Sequence, residues 1–208
     1  MKRKAAIIFS CLALVIVGAF VWSAFNVPRQ KEMRSFPKAE RIDLGNVLVV
    51  FYSLTGSTKE IAGRIGEMTG GALFEIETEK SYPAAPIVYI SVWRELKNGN
   101  LPVLKKIPRN YSSFDVIFVG SPVWFSSLPA PIRAFLSQSD FQGKTVIPFS
   151  TQGGGFGDFF ASFEKEVQNA KITKGMDFST SSGRDVSALD QKIAVWLNEL
   201  KNDLLHKP

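Results

Sequence analysis

From residue 46 onward, short apolar runs alternate with stretches whose apolar positions recur at helical spacing. The run Val47-Leu48-Val49-Val50-Phe51-Tyr52 predicts a strand, and the pattern after it predicts a helix from about Thr58 to Thr69. A second strand is expected at Ala72 to Thr78, and a helix at about Pro86 to Leu96, where Ile87, Tyr89-Ile90, Trp93-Arg94 and Leu96-Lys97 recur at helical intervals. A long irregular stretch then leads to a third strand at Asp115 to Gly120, apolar on both faces as a central parallel strand is. The remaining pattern predicts a helix at Pro131 to Gln138, a strand at Lys144 to Phe149, a helix at Phe156 to Val167 and a last strand near Gly175 to Phe178. It closes with an amphipathic helix from Val186 to Asn202, whose Leu189, Ile193, Trp196, Leu197 and Leu200 share one face. Trp93 and Trp196 are expected in the core. Such alternation implies a parallel sheet covered by helices on both faces. Ligands bind such sheets beyond the carboxyl ends of the strands, where strand order reverses, so the loops after strands one, three and four become the places of interest.

The first 45 residues follow a different pattern. Lys2-Arg3-Lys4 precede an uncharged apolar segment, Ala5 to Phe25, long enough to cross a bilayer as a helix. It is longer than a usual secretory apolar core and is expected to be an uncleaved anchor; residues 26–45, with Pro28 and Pro37, read as a linker, and residues 46–208 as one domain. The chain's formal charge of +6 divides unevenly. Residues 1–45 hold eight Lys/Arg and three Asp/Glu, leaving 17 basic and 16 acidic residues for the domain. A nearly neutral domain excludes nucleic acid as the expected partner, and the basic residues of the linker are suited to anionic headgroups. The N-terminal charges favour an extracytoplasmic domain, although Arg29, Lys31, Arg34, Lys38 and Arg41 oppose it. The single cysteine, Cys11, allows no intramolecular disulfide.

The loop after the first strand is Ser53-Leu54-Thr55-Gly56-Ser57-Thr58. A helix start offers backbone N–H groups without partners and partial positive charge, so a hydroxyl-rich loop there suits a phosphate. No Lys or Arg lies in it, which suits a retained monophosphate better than triphosphate hydrolysis. An ordinary turn with Ser57 or Thr58 as helix N-cap gives the same pattern. The loop after the third strand, Pro122-Val123-Trp124-Phe125-Ser126 and onward to Pro131, sets two aromatics in a proline-stiffened backbone. They either present a platform for a planar heterocycle or fold back onto the core. The loop after the fourth strand, Thr151-Gln152-Gly153-Gly154-Gly155, lets backbone approach a ligand closely or simply turns the chain.

In order, the segments Phe51 to Lys59, Gly120 to Trp124 with Pro129 to Leu136, and Pro148 to Gly154 resemble the flavodoxin-like family over roughly residues 47–200. Tyr82-Pro83 and Leu104 to Pro108 are similar to elements of a bacterial group within it. The resemblance implies a doubly wound five-stranded parallel sheet, order 2-1-3-4-5, that binds FMN. It implies that residues 53–58 hold the phosphate, that Trp124 and its neighbours Pro122, Val123, Phe125 and Ser126 contact the isoalloxazine, and that residues 151–155 border the ring, with Gln152 available to its polar edge. Related sequences often carry Trp-Trp-Gly where this chain has Trp124-Phe125-Ser126; a glycine there lets the peptide rearrange toward the flavin on reduction, and Ser126 lacks that freedom. The domain also lacks the acidity of family members that shuttle electrons in solution.

Other chemistry is poorly matched. Gly143-Lys144-Thr145 resembles the end of a P-loop, but Gln138 stands where its first glycine belongs; Gly155-Phe156-Gly157 meets Phe160 where a dinucleotide motif needs glycine. The sole histidine, His206, is near the end of the chain, which argues against a Ser-His-Asp hydrolase or a histidine-ligated metal. Asp158, Glu164 and Glu166 are expected on a solvated helix face. The expected function is FMN-dependent electron transfer at a membrane, to a partner protein or a small acceptor such as a quinone, with no side chain required as acid or base. Two alternatives are an NAD(P)H:quinone-type reductase and a cofactor-free binding module.

Overall fold

The computed structural model describes residues 41–83, 87–180 and 186–205. The expected anchor, Ala5 to Phe25, and most of the expected linker lie outside them. Among the described residues, no helix is long and apolar enough to cross a membrane. Ile42 and Leu44, read as linker, pack on the domain's core, and the Ile42 N–H donates to Met68 O at 2.9 Å.

The elements run β1 (Val47–Phe51), α1 (Ser57–Thr69), β2 (Ala72–Glu75), α2 (Ile87–Asn98), β3 (Val116–Pro122), α3 (Ala130–Ser137), β4 (Thr145–Gln152), α4 (Phe159–Glu166), β5 (Lys171–Ile172), β6 (Met176–Ser179) and α5 (Val186–Leu205). All ladders between strands are parallel, and the order is β2-β1-β3-β4, with both β5 and β6 pairing β4. The expected order therefore holds through β4, but the fifth position holds two short strands, making six rather than five among the described residues.

Pro148 accounts for the division. In a strand, successive backbone N–H and C=O groups point to alternate edges. Val146 O and Gln152 O accept from Thr173 and Thr180 on the outer side, whereas Thr151 O accepts from Val123 on the β3 side. Even-numbered residues of β4 thus face β5 and β6, and at Pro148 that edge has no N–H to offer. The ladder stops after Val146↔Ile172 and resumes at Phe149↔Met176. Gly175 crosses the gap, where an added Cβ would lie 2.3 Å from Pro148 O.

The same alternation divides the apolar residues between two layers. Val47, Val49, Phe51, Val116, Phe118, Ile147 and Phe149 pack with Ile61 and Ile65 of α1 and Leu189, Ile193, Trp196 and Leu197 of α5. Leu48, Val50, Tyr52, Ile117, Val119 and Val146 pack on the other face with Ile132 and Phe135 of α3 and Phe159 and Phe163 of α4. Helix α2 buries Val88 and Val92, four residues apart, and leaves Trp93 52% exposed. Trp196 is in the core as expected; Trp93 is not, because the inward face of α2 is the 88/92 face.

Candidate functional site

Strands β1, β3 and β4 end at one side of the sheet, and their register aligns the three loops. Tyr52 N–H donates to Gly120 O at 3.0 Å and Val123 N–H to Thr151 O at 2.9 Å, so the first residues beyond each strand are still tied to the neighbour. Gly120 is paired with Phe149, whose ring lies across it: an added Cβ would sit 1.9 Å from Phe149 Cζ.

In the first loop Gly56, not Ser57 or Thr58, is the N-cap of α1, with φ 95° and no side-chain capping bond. Glycine suits the left-handed turn, and Ser53 Oγ accepts from its N–H at 3.1 Å. A helix start without a side-chain cap keeps its first amides available to an anion. Thr55 is exposed and Ser57 half-buried, both at this start. Leu54 is partly buried against the core. Thr58 is turned inward, 1% exposed, and its hydroxyl shares a 2.8 Å hydrogen bond with that of buried Thr151. This bond joins the first loop to the third. Lys59, the cation next to the loop, is paired with Glu75 at 2.6 Å.

The second loop closes on itself. Trp124 N–H donates to Ser127 O at 3.2 Å and Ser127 N–H to Trp124 O at 3.0 Å, around Phe125 and Ser126 at φ 49° and 60°. Two non-glycine residues in left-handed backbone are uncommon, and such strain persists where surrounding structure enforces it. The enforcing contact comes from the stretch before α4: Asp158 N–H donates to Ser126 O at 2.8 Å, and Gly157, φ 53°, has no room for a Cβ beside Ser126. Asp158 is thus exposed as expected, but Glu166 is not a free surface acid; it accepts from Arg133 Nη2 at 2.6 Å and Nε at 2.8 Å.

The two aromatics divide the readings left open for them. Phe125 is 51% exposed, whereas Trp124 is half-buried on the α3 side of the sheet. Trp124 meets Tyr52 edge-on at 5.6 Å and Tyr82 at 5.0 Å between centroids, and the tyrosines lie 6.2 Å apart. Tyr82 Oη donates to Glu95 Oε2 at 2.7 Å. Burial, then that bond, pushes the Tyr82 hydroxyl far above its ordinary value; burial does the same to Tyr52. Burial raises the Glu95 carboxyl, partly offset by the Tyr82 bond. Tyr82 and Glu95 were missed as site residues: they precede or lie within α2, and no local spacing links them to Trp124.

In the third loop, Gln152 is committed within the protein. Its Nε2 donates to Asp177 Oδ2 at 2.9 Å, and its Oε1 accepts from Gly155 N–H. Asp177 also accepts from Ser150 Oγ at 2.5 Å, and Gln152 O accepts from Thr180 N–H at 2.6 Å. Gln152 therefore shapes the glycine turn, and β6 braces it. Gly153, Gly154 and Gly155 are exposed, and a Cβ at Gly154 or Gly155 would meet nothing within 4 Å.

The family model described as Flavodoxin matches residues 46–199. A protein from Bacteroides uniformis ATCC 8492, provisionally described as a flavoprotein, is similar at 28% identity and TM-score 0.60, covering 72% of this chain and 98% of its own. Its counterpart from Bacteroides eggerthii DSM 20697 is 27% identical at TM-score 0.60, over 74% of this chain and 96% of that one. A flavoprotein from Lactobacillus acidophilus NCFM, crystallised in complex with FMN, shares the fold at 22% identity and TM-score 0.58, over 64% of this chain and 93% of that one. No curated protein matches the chain.

Proposed function

The chain belongs to the flavodoxin family, and from that premise we propose that it binds FMN and transfers electrons through it. The observation that carries the proposal is the meeting, at one end of β1, β3 and β4, of an uncapped helix start, a fixed aromatic turn and an exposed glycine turn. When bound, FMN supplies the acceptance and donation of electrons.

This chain's own residues supply the rest. The first amides of α1, with the hydroxyls of Thr55 and Ser57, would hold the phosphate through charge-assisted hydrogen bonds. Thr58 contributes indirectly, fixing the loop through Thr151. Trp124, Phe125 and the backbone of Gly153 to Gly155 would be the parts of the site that contact the ring. The triad of Trp124, Tyr52 and Tyr82 excludes water from beneath the aromatic turn. The segment Ala5 to Phe25 tethers the domain to a membrane, with the domain outside the cytoplasm; protease accessibility in intact cells tests that side.

Titrating the purified full-length protein with FMN tests the binding. Quenched flavin fluorescence is expected, with a melting temperature that rises with ligand; a ligand at 100 times its Kd adds about 2.7 kcal/mol of stability. Unchanged fluorescence and melting temperature at saturating FMN would overturn the proposal and leave a cofactor-free binding module.

A further inference from the structure

Trp124 is braced by two rings, and one of these is anchored at its far end. Tyr82 stands 5.0 Å from Trp124, at 67° between ring planes, and its hydroxyl is tied to Glu95 at 2.7 Å. The connection runs from α2 to the loop after β3, two parts of the chain with no backbone ladder between them. A tyrosine tied at its tip to a carboxylate has both its rotamer and its ring plane set, and a hydrogen bond to an ionised acceptor is about twice as strong as a neutral one. Edge-to-face contact then passes that orientation on, since aromatic pairs are worth about 0.5–1.5 kcal/mol in a favoured geometry and less outside it. Tyr52 is the other brace, but it comes directly from β1 and its position is set by the sheet.

Glu95 is suited to the task by where it lies. It is half-buried, and it lines a groove of about 230 Å³ with Leu101, Ala130, Arg133 and Glu166, a lining that does not include Trp124. Arg133, the cation of that groove, is committed to Glu166. The geometry points to Glu95 as a positioning residue that acts through Tyr82 to set the orientation in which Trp124 meets the flavin ring. This rests on the FMN reading above, and the test separates the two.

The full-length protein is compared with Tyr82→Phe, Glu95→Ala, their double variant and Glu95→Gln. Three quantities are measured: the indole ¹H–¹⁵N signals of the four tryptophans without FMN, with Trp124 assigned by its loss in Trp124→Phe; the Kd for FMN; and the melting temperature. Tyr82→Phe and Glu95→Ala are each expected to move the Trp124 signal while leaving that of Trp196 in place. Each should weaken FMN by about three- to tenfold, the loss of one favourable aromatic orientation. The double variant should lose no more than either single one, and Glu95→Gln, which keeps an acceptor oxygen, should restore both signal and affinity. An unmoved Trp124 signal with unchanged Kd, even with a lowered melting temperature, overturns the inference and leaves a merely structural bond. So do losses that add in the double variant. If the wild-type chain binds no FMN, the flavin reading fails, while the indole signals still decide whether Glu95 governs Trp124.

Discussion

Thr55 and Ser57 place two hydroxyls at a helix start that no side chain caps. A hydrogen bond to a charged acceptor contributes about 1.5–3 kcal/mol, so Thr55→Ala with Ser57→Ala is expected to weaken FMN by about 100-fold or more. Riboflavin, which lacks the phosphate, should change little; parallel fluorescence titrations check this, and equal losses would remove the phosphate from that loop. Gly120 carries a different constraint. Its missing Cβ is the space in which the Phe149 ring lies, and forcing a methyl group there costs about 1–3 kcal/mol or more. Gly120→Ala should lower the melting temperature markedly, with partial recovery when Phe149→Leu is added; an unchanged melt would contradict the packing. Glu95 makes stability depend on pH. Burial raises its carboxyl above the ordinary value in the folded chain, so the folded state holds that proton more tightly than the unfolded state does. Its contribution is complete below the unfolded value, about 4.3, and is lost as pH rises through the folded one. Glu95→Gln, which does not ionise, should therefore gain melting temperature relative to wild type as pH rises from about 4 through the raised folded value. A difference that stays constant across that range would show that Glu95 titrates normally.

Helix α1 does two jobs, one at its start and one at its middle, and both depend on buried polar groups. At its start Thr58 is bound to Thr151 of β4, which couples the loop after β1 to the glycine turn. Further along, Arg64, with its side chain 10% exposed, pairs with Glu60 at 3.1 Å and with Asp190 of α5. Removing one member of a buried ion pair strands the other, at about 3–5 kcal/mol. Asp190→Ala leaves Arg64 with Glu60 and should therefore destabilise the protein by less than that, about 1.5–3 kcal/mol, while replacing Arg64 and Asp190 together by apolar residues of similar volume should cost less than Asp190→Ala alone. Denaturant melts of the variants check the order. Elements of this kind were readable in the sequence where one face dominates: α1, and α5 with Leu189, Ile193, Trp196 and Leu197 inward. Helix α2 was located but its inward face was misjudged. Its apolar residues occur all round, so periodicity alone could not choose Val88 and Val92 over Ile90 and Trp93, which are 56% and 52% exposed.

At the scale of the molecule, the strand order followed from alternation of elements and from the three loop motifs, because parallel sheets with right-handed crossovers allow few arrangements. The loops of the site were legible for the same reason: each follows a strand whose apolar run is unmistakable. What the sequence did not disclose depends on distant contacts. Tyr82 reaches Trp124 across forty-odd residues of chain, and Gln152 is tied to Asp177, twenty-five residues further on. The split of the last strand had a local signal that went unused, Pro148 inside an otherwise regular strand. That split also bears on how the protein behaves in a crowded solution. A long, flat outer strand is a template on which another chain can add its own, the first step of many aggregates. Here one edge is β2, Ala72–Glu75, and the other is broken into Lys171–Ile172 and Met176–Ser179. Neither border offers more than four residues in line, so a missing hydrogen atom on one proline also keeps the sheet from growing.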